Sequence, residues 1–259
     1  MSVIITISNQ KGGVGKTTTS AALASGLFLA GYKVLGIDLD PQGNLGFCLG
    51  AENGQTWSIL DVLNGSVTAE EAIFHGDCCD LLLSDITLSS GMSRTDGQNE
   101  YILKNAIRPI IDSYDYIIID TPPALNLQTI NAYSASDYLI IPMAADILSL
   151  VGLSQLRETI DSVRDSFNPS LSVLGILLTR FNSRTLISRD VLEMAQQLAA
   201  QIQTRVFDTK IRSGVAIAEA PAHGESIFSY NPRSGAVKDY KEFLREVLDQ
   251  IGKEKTVNG

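Results

Sequence analysis

The chain has 259 residues, 44% hydrophobic and 19% charged, with a formal net charge of −9. That length and balance suit a globular α/β protein with a sizeable core, and the net acidity argues against nucleic-acid binding by the surface as a whole. No apolar stretch reaches the roughly 18 residues of a membrane-spanning helix, and residues 1–7 carry no basic leader or cleavage site, so a cytoplasmic protein without a membrane anchor is expected. The charge is uneven. From Arg180 onward there are twelve Lys/Arg against ten Asp/Glu, and before it eight against nineteen, so the C-terminal third can carry a local basic face. Cys48, Cys78 and Cys79 are odd in number and two are adjacent, which suits neither a metal knuckle nor a disulfide framework and predicts reduced thiols. His75 and His223 are the only histidines, too few to favour a zinc site.

In chain order, residues 3–7 form an apolar run of buried-strand length. A glycine-rich turn follows, and residues 17–30 read as a helix with Leu23 and Leu27 one turn apart, stopped by Gly31. Residues 34–37 make a second strand ending at Asp38. The segment 50–98 is the least regular. Residues 116–119 make a third strand ending at Asp120, residues 138–142 a fourth, 173–178 a fifth and 205–207 a short sixth. Helical segments are expected at 152–167, 188–203 and 236–251. The last places Val237, Tyr240, Phe243, Leu244, Val247, Leu248 and Ile251 at helical spacing. Continuous apolar strands separated by helices predict one domain, residues 1–251, with a mostly parallel sheet covered on both faces. Residues 252–259 read as a polar, frayed tail. The strand at residue 3 leaves no room for a preceding helix-turn-helix, so operator-specific repression is not expected.

The turn after the first strand carries the chemistry. The usual phosphate loop is G-x-x-x-x-G-K-[ST]. Gly15-Lys16-Thr17 satisfies its end, but Gln10 stands where the first glycine belongs, and Gly12 and Gly13 follow an additional Lys11. Backbone N–H groups from Gly13 through Val14, Gly15, Lys16 and Thr17 to Thr18 are placed to point at phosphate oxygens at a helix N-terminus. Lys16 would neutralise β/γ-phosphate charge and the Thr17 hydroxyl would ligate Mg²⁺. A merely tight turn needs glycines but not Lys16 and Thr17 as well. The site is expected to take ATP and Mg²⁺.

The run from Lys11 to Thr18 resembles the deviant Walker A motif of the ParA/MinD family of ATPases. Asp38-Leu39-Asp40-Pro41-Gln42-Gly43-Asn44 is similar to the family's second acidic motif, and Ile119-Asp120-Thr121-Pro122-Pro123 to its Walker B. Glu219-Ala220-Pro221-Ala222-His223-Gly224 looks like a late segment of ParA partition proteins. The resemblance spans nearly the whole chain. It implies a P-loop ATPase with slow intrinsic turnover that forms an ATP-sandwich homodimer. Lys11 would reach the phosphates of the other subunit in the manner of an arginine finger. Asp40 is the candidate for positioning the attacking water. Asp38 would support Mg²⁺ or its waters, and Asp120 would hold the Mg²⁺ hydration shell. Asn182 is the candidate adenine contact, with Ile211, Arg212 and Ser213 lining the base. Partition ATPases often carry proline and arginine at positions 212 and 213 and another arginine near Ala216, a pattern this chain lacks.

Fold alone does not fix function, and several classes share this scaffold. The leading expectation is a DNA-partition ATPase. Its ATP dimer would bind DNA without sequence preference, associate with the nucleoid and be released when a ParB-type adaptor stimulates hydrolysis. Candidate phosphate-contacting residues are Arg184, Arg189, Lys210, Arg212, Arg233, Lys238, Lys241 and Arg245. A MinD-like membrane-cycling ATPase would need a C-terminal amphipathic anchor, whereas this chain ends in polar residues. The three cysteines do not fall where a nitrogenase-iron-protein-like cluster would need them. An ATPase that positions other cargo is the remaining alternative.

Overall fold

A computed structural model describes residues 2–51, 56–91 and 99–258 of the chain. Residues 52–55 and 92–98 of the irregular segment, and Gly259 of the tail, lie outside them. Five apolar runs form most of one seven-stranded sheet. In chain order its strands are β1 (Val3–Ile7), β2 (Val34–Asp38), β3 (Phe74–His75), β4 (Asp80–Leu82), β5 (Tyr116–Asp120), β6 (Tyr138–Ala144) and β7 (Ser172–Thr179). Their spatial order is β3-β4-β2-β5-β1-β6-β7, parallel throughout except for β3 against β4.

Every residue of β1, β2 and β5 is buried, because helices cover both faces. Alternate residues serve opposite cores. Ile4, Ile37, Ile117 and Ile119 face one core, with α4 (Ile102–Ile107), α5 (Leu127–Ala135), α6 (Ile147–Ser166) and α7 (Leu186–Gln201) on that side. Ile5, Ile7, Val34 and Ile118 face the other, against α1 (Lys16–Leu29) and α10 (Gly235–Asn258). Phe243 of α10 is fully buried there, edge-on to Phe207 with ring centroids 4.9 Å apart.

The short elements α2 (Asn44–Cys48), α3 (Ile59–Leu63), α8 (Val215–Glu219) and α9 (Ile227–Tyr230) complete the set. Together with β3 and β4, α3 occupies part of what reads in sequence as the irregular stretch. The expected strand at 205–207 is reduced to one parallel bridge, Val206 to Ile176, because Thr204 and Asp208 turn the chain onto and off the sheet edge. The expected frayed tail is instead helical to Asn258. No proline interrupts it, and Lys253, Glu254 and Lys255 are good helix formers, so Gly252 alone does not end the helix.

Register places the site. Ile7, Asp38 and Asp120 are level with one another at the carboxyl ends of three adjacent strands. Asp38 and Asp120 share the face covered by α1. Open α/β sheets bind ligands at this edge.

Candidate nucleotide site

The phosphate loop leaves β1 and enters α1 at Lys16. Gly13 and Gly15 hold φ of 72° and 91°, a region that residues with a Cβ resist. Thr179, the last residue of β7, donates its hydroxyl to the Val14 carbonyl at 2.8 Å and so buttresses the loop. The Thr19 N–H bonds back to the Gly15 carbonyl at 2.9 Å. The amides of Lys16, Thr17 and Thr18, one step earlier, have no such partner among the described residues, so they form an anion cradle.

Lys16 is buried, and its Nζ donates to the Lys11 carbonyl at 3.1 Å. Burial lowers its pKa, opposed by the charges of Asp120 and Asp40. Thr17 Oγ1 donates to Asp120 Oδ2 at 2.7 Å, and Ser20 Oγ to Asp120 Oδ1 at 2.8 Å. Burial raises the Asp120 pKa to about 6 even with these bonds and Lys16 favouring the carboxylate. Asp38 is pushed well above the usual carboxylate range, first by burial and then by the charge of Asp120. Two buried carboxylates side by side on adjacent strands, with a threonine hydroxyl between one of them and the phosphate loop, are the donor set a hydrated Mg²⁺ would fit.

The three acidic residues divide the work differently from their spacing in sequence. Asp120 faces α1 and the phosphate loop. Asp38 is spent on the backbone: Oδ1 accepts from Asp40 N–H and Oδ2 from Leu45 N–H, both at 2.9 Å. It therefore organises the turn that presents Asp40, and any support it gives to Mg²⁺ comes on top of that. Asp40 is buried beside the loop, with Oδ1 accepting from Gln42 N–H at 3.0 Å. The Asp38–Asp120 pair also suppresses Cys48, whose thiol is pushed up to about 12 by burial and then by those two charges. Cys48, Cys78 and Cys79 are all free thiols.

Lys11 sits at the rim. Its Nζ is 2.6 Å from Asp146 Oδ1 and 3.1 Å from Ser149 Oγ, at the N-terminus of α6. Asp146 caps that helix as well, accepting from Ser149 N–H at 2.9 Å. The expected trans-acting lysine is thus tethered in cis within the single chain. The tether is partly exposed, with side-chain exposures of 31% and 47%.

The base-lining candidates scatter more widely. Ile211 and Ser213 line a cavity of about 190 Å³ with Gly15, Thr18, Thr179 and Tyr240, next to the phosphate loop. Asn182 opens instead onto a neighbouring cavity of about 450 Å³ with Arg184 and Lys210. Its side-chain oxygen accepts from Arg184 N–H at 3.1 Å, an Asx turn. Arg212 borders both cavities, but its guanidinium makes a bidentate pair with Asp239 of α10, Nε and Nη2 each at 2.7 Å. That pair clamps the loop to α10. Arg189 Nε is bonded to the Ser183 carbonyl and Lys210 Nζ to the Asp208 carbonyl, both local contacts. Lys238, Lys241 and Arg245 fall at i, i+3 and i+7 on the exposed face of α10, and Arg233 is exposed just before it.

Residues 2–173 match a family model described as an AAA domain. The chain is 38% identical over 250 residues to the chromosome partitioning protein ParA of Myxococcus xanthus, covering 95% of this chain and 87% of that one. The chain belongs to the ParA/MinD family of P-loop ATPases. It is equally 38% identical to the sporulation initiation inhibitor protein Soj of Bacillus subtilis, over 95% of this chain and 98% of Soj. Among solved structures, a cobyrinic acid a,c-diamide synthase of Mycobacterium smegmatis with bound ADP and magnesium superposes with a TM-score of 0.83. It is 33% identical, over 96% of this chain and 94% of that chain.

Several residues around the phosphate loop escape a reading by motif. Ser20 lies one turn after Thr17 on the same helical face, and that spacing is a usable signal. Asp146, Ser149 and Thr179 lie more than 130 residues from the loop groups they bond. Only the sheet brings them there.

Proposed function

We propose that this ATPase is a partition ATPase, whose ATP-bound homodimer binds DNA of any sequence and is released after hydrolysis stimulated by a ParB-type adaptor. The similarity to ParA and Soj along 95% of the chain carries the reading. The exposed face of α10 supplies candidate phosphate contacts in Lys238, Lys241 and Arg245, alongside the carboxylates of Glu242 and Asp249. Two such faces in a dimer would double the patch, which makes an ATP-dependent dimer an ATP-dependent DNA binder.

At the nucleotide, the N–H groups of Gly13 to Thr18 and the Lys16 ammonium hold the phosphates. Thr17 and Asp120 would hold Mg²⁺ and its waters, and the ion would supply charge neutralisation for the phosphates. Asp40, presented by the Asp38-ordered turn, orients the attacking water. Lys11 leaves Asp146 and Ser149 to reach the partner subunit's phosphates, adding a cation where charge develops. Hydrolysis and dimerisation are thereby tied to one residue.

The test is a DNA-binding titration of the full chain with ADP, ATP and a slowly hydrolysed analogue, over a salt series. The expected outcome is binding with ATP or the analogue but not ADP, weakening steeply as salt rises. Binding to anionic liposomes and not to DNA would replace this reading with a membrane-cycling one.

A further inference from the structure

Arg180 follows directly on Thr179, the residue that buttresses the phosphate loop. It is a non-glycine residue with a left-handed backbone, φ 52°. A residue with a Cβ resists such a conformation, which persists only where its surroundings enforce it. The surroundings do so on both sides. The Thr179 carbonyl accepts from Ala145 N–H at 3.0 Å, and Phe181 N–H donates to the Ile211 carbonyl at 2.9 Å. The left-handed turn brings the side chain back over the phosphate loop. Its Nη2 lies 4.0 Å from the point where a Cβ on Gly13 would sit, and nothing else comes that close to the point. The same side chain lines the 190 Å³ cavity with Gly15, Thr18 and Tyr240.

The other cations around the loop have partners. Lys16 bonds the Lys11 carbonyl, Lys11 pairs with Asp146, and Arg212 pairs with Asp239. Arg180 has neither a hydrogen bond nor an ion pair among the described residues. A planar five-donor cation is thus held by a strained backbone, beside an anion cradle, with its donors free. Arginine matches phosphate oxygens better than any other side chain.

We propose that Arg180 is a phosphate-binding residue for the nucleotide in its own subunit, lying across the loop between Gly13 and Thr18 and closing the cradle from the β7 side. This rests on the ATPase reading of the site. It makes the cavity beside Thr18 a channel whose phosphate end is marked by Arg180, and it separates two cations by origin: Arg180 acts in cis and Lys11 in trans.

The experiment is equilibrium binding of MgATP and MgADP to the full chain by calorimetry, for the parent and for Arg180→Ala, Arg180→Gly and Arg180→Lys, with Lys16→Ala as reference. Arg180→Gly removes the cation while relieving the backbone, so it separates lost charge from misfolding. Both Arg180→Ala and Arg180→Gly are expected to weaken nucleotide binding about tenfold or more, with Arg180→Lys recovering part of it. The melting temperature of nucleotide-free Arg180→Gly is expected to be no lower than the parent's. Weakening of ATP alone would support the proposal and place the contact on the γ-phosphate. Affinities within about twofold of the parent in Arg180→Ala would overturn it, as would full recovery by Arg180→Gly, which would make the effect conformational. Unchanged nucleotide affinity with lost DNA binding would overturn it too, moving Arg180 to the DNA surface. A parent chain that binds no better than Lys16→Ala would fail the ATPase reading itself, and the proposal with it.

Discussion

The floor of the nucleotide site and its rim are built by opposite rules. On the floor, Lys16, Asp38 and Asp120 are buried, and their polar atoms face partners in the phosphate loop, the turn into α2, and α1. At the rim, Lys11, Asp146 and Arg180 are partly or wholly exposed. A buried charge without its partner costs several kcal/mol, so the floor has one arrangement. An exposed ion pair is worth about 1 kcal/mol or less, so the rim can exchange partners when a nucleotide or a second subunit arrives. The proposed ATP-dependent dimer would use both properties in one site: a fixed place for the phosphates and a cation free to change partners.

Substitutions can break that contrast, beginning where the loss is greatest. Lys16→Ala removes the floor's cation and leaves Asp120 less compensated. MgATP affinity measured by calorimetry is expected to fall about a hundredfold or more, and parental affinity would remove Lys16 from the phosphate site. Asp40→Ala spares the loop, so ATP should still bind, while phosphate release slows about a hundredfold and an ATP-bound dimer accumulates in sedimentation. Ordinary turnover in that variant would take Asp40 out of the mechanism.

A smaller effect is expected of Gly15→Ala, which forces a Cβ into φ 91° beside Thr179 Cγ2 at 3.5 Å. The strain is about 1–2 kcal/mol, read as a lower melting temperature together with weaker nucleotide binding. Equal stability would mean the loop adapts more freely than its bond to Thr179 suggests. The smallest stability change is expected from Asp146→Asn, under about 1 kcal/mol, because the Lys11 tether is half exposed. Its signature is functional: Lys11 released from its cis partner should let the dimer form at lower ATP concentration. An unchanged ATP dependence would show that the tether does not compete with the partner subunit.

Legibility in the sequence followed locality. The phosphate loop is eight consecutive residues, and strands β1, β2 and β5 are unbroken apolar runs, so both could be read off directly. Helix α5 could not. It buries Gln128, Thr129, Asn131 and Ser134, and such a run has little hydrophobic signal. Two of its buried polar side chains reach distant backbone: Gln128 Nε2 donates to the Leu88 carbonyl, and Asn131 accepts from Leu103 N–H and donates to the Asn99 carbonyl. Strands β3 and β4, of two and three residues, are too short to show a period and exist because β2 offers an edge. The pairing of Arg212 could not be read for a related reason, since its partner Asp239 lies 27 residues later, on α10.

The sequence alone determined the fold class, the phosphate loop and the order of the acidic motifs, because each is written in contiguous residues with a local physical meaning. Lys11-Gly12-Gly13 in front of Val14-Gly15-Lys16 even carried the resemblance to an ATPase completed by a second subunit. Only the tertiary structure decided how the charges are shared: Asp38 to the backbone of its own turn, Asp120 to Thr17 and Ser20, Lys11 to Asp146, Arg212 to Asp239, and Arg180 to no described residue. Those assignments depend on distances across the sheet, and electrostatic interactions fall off with separation in space, whatever the separation along the chain.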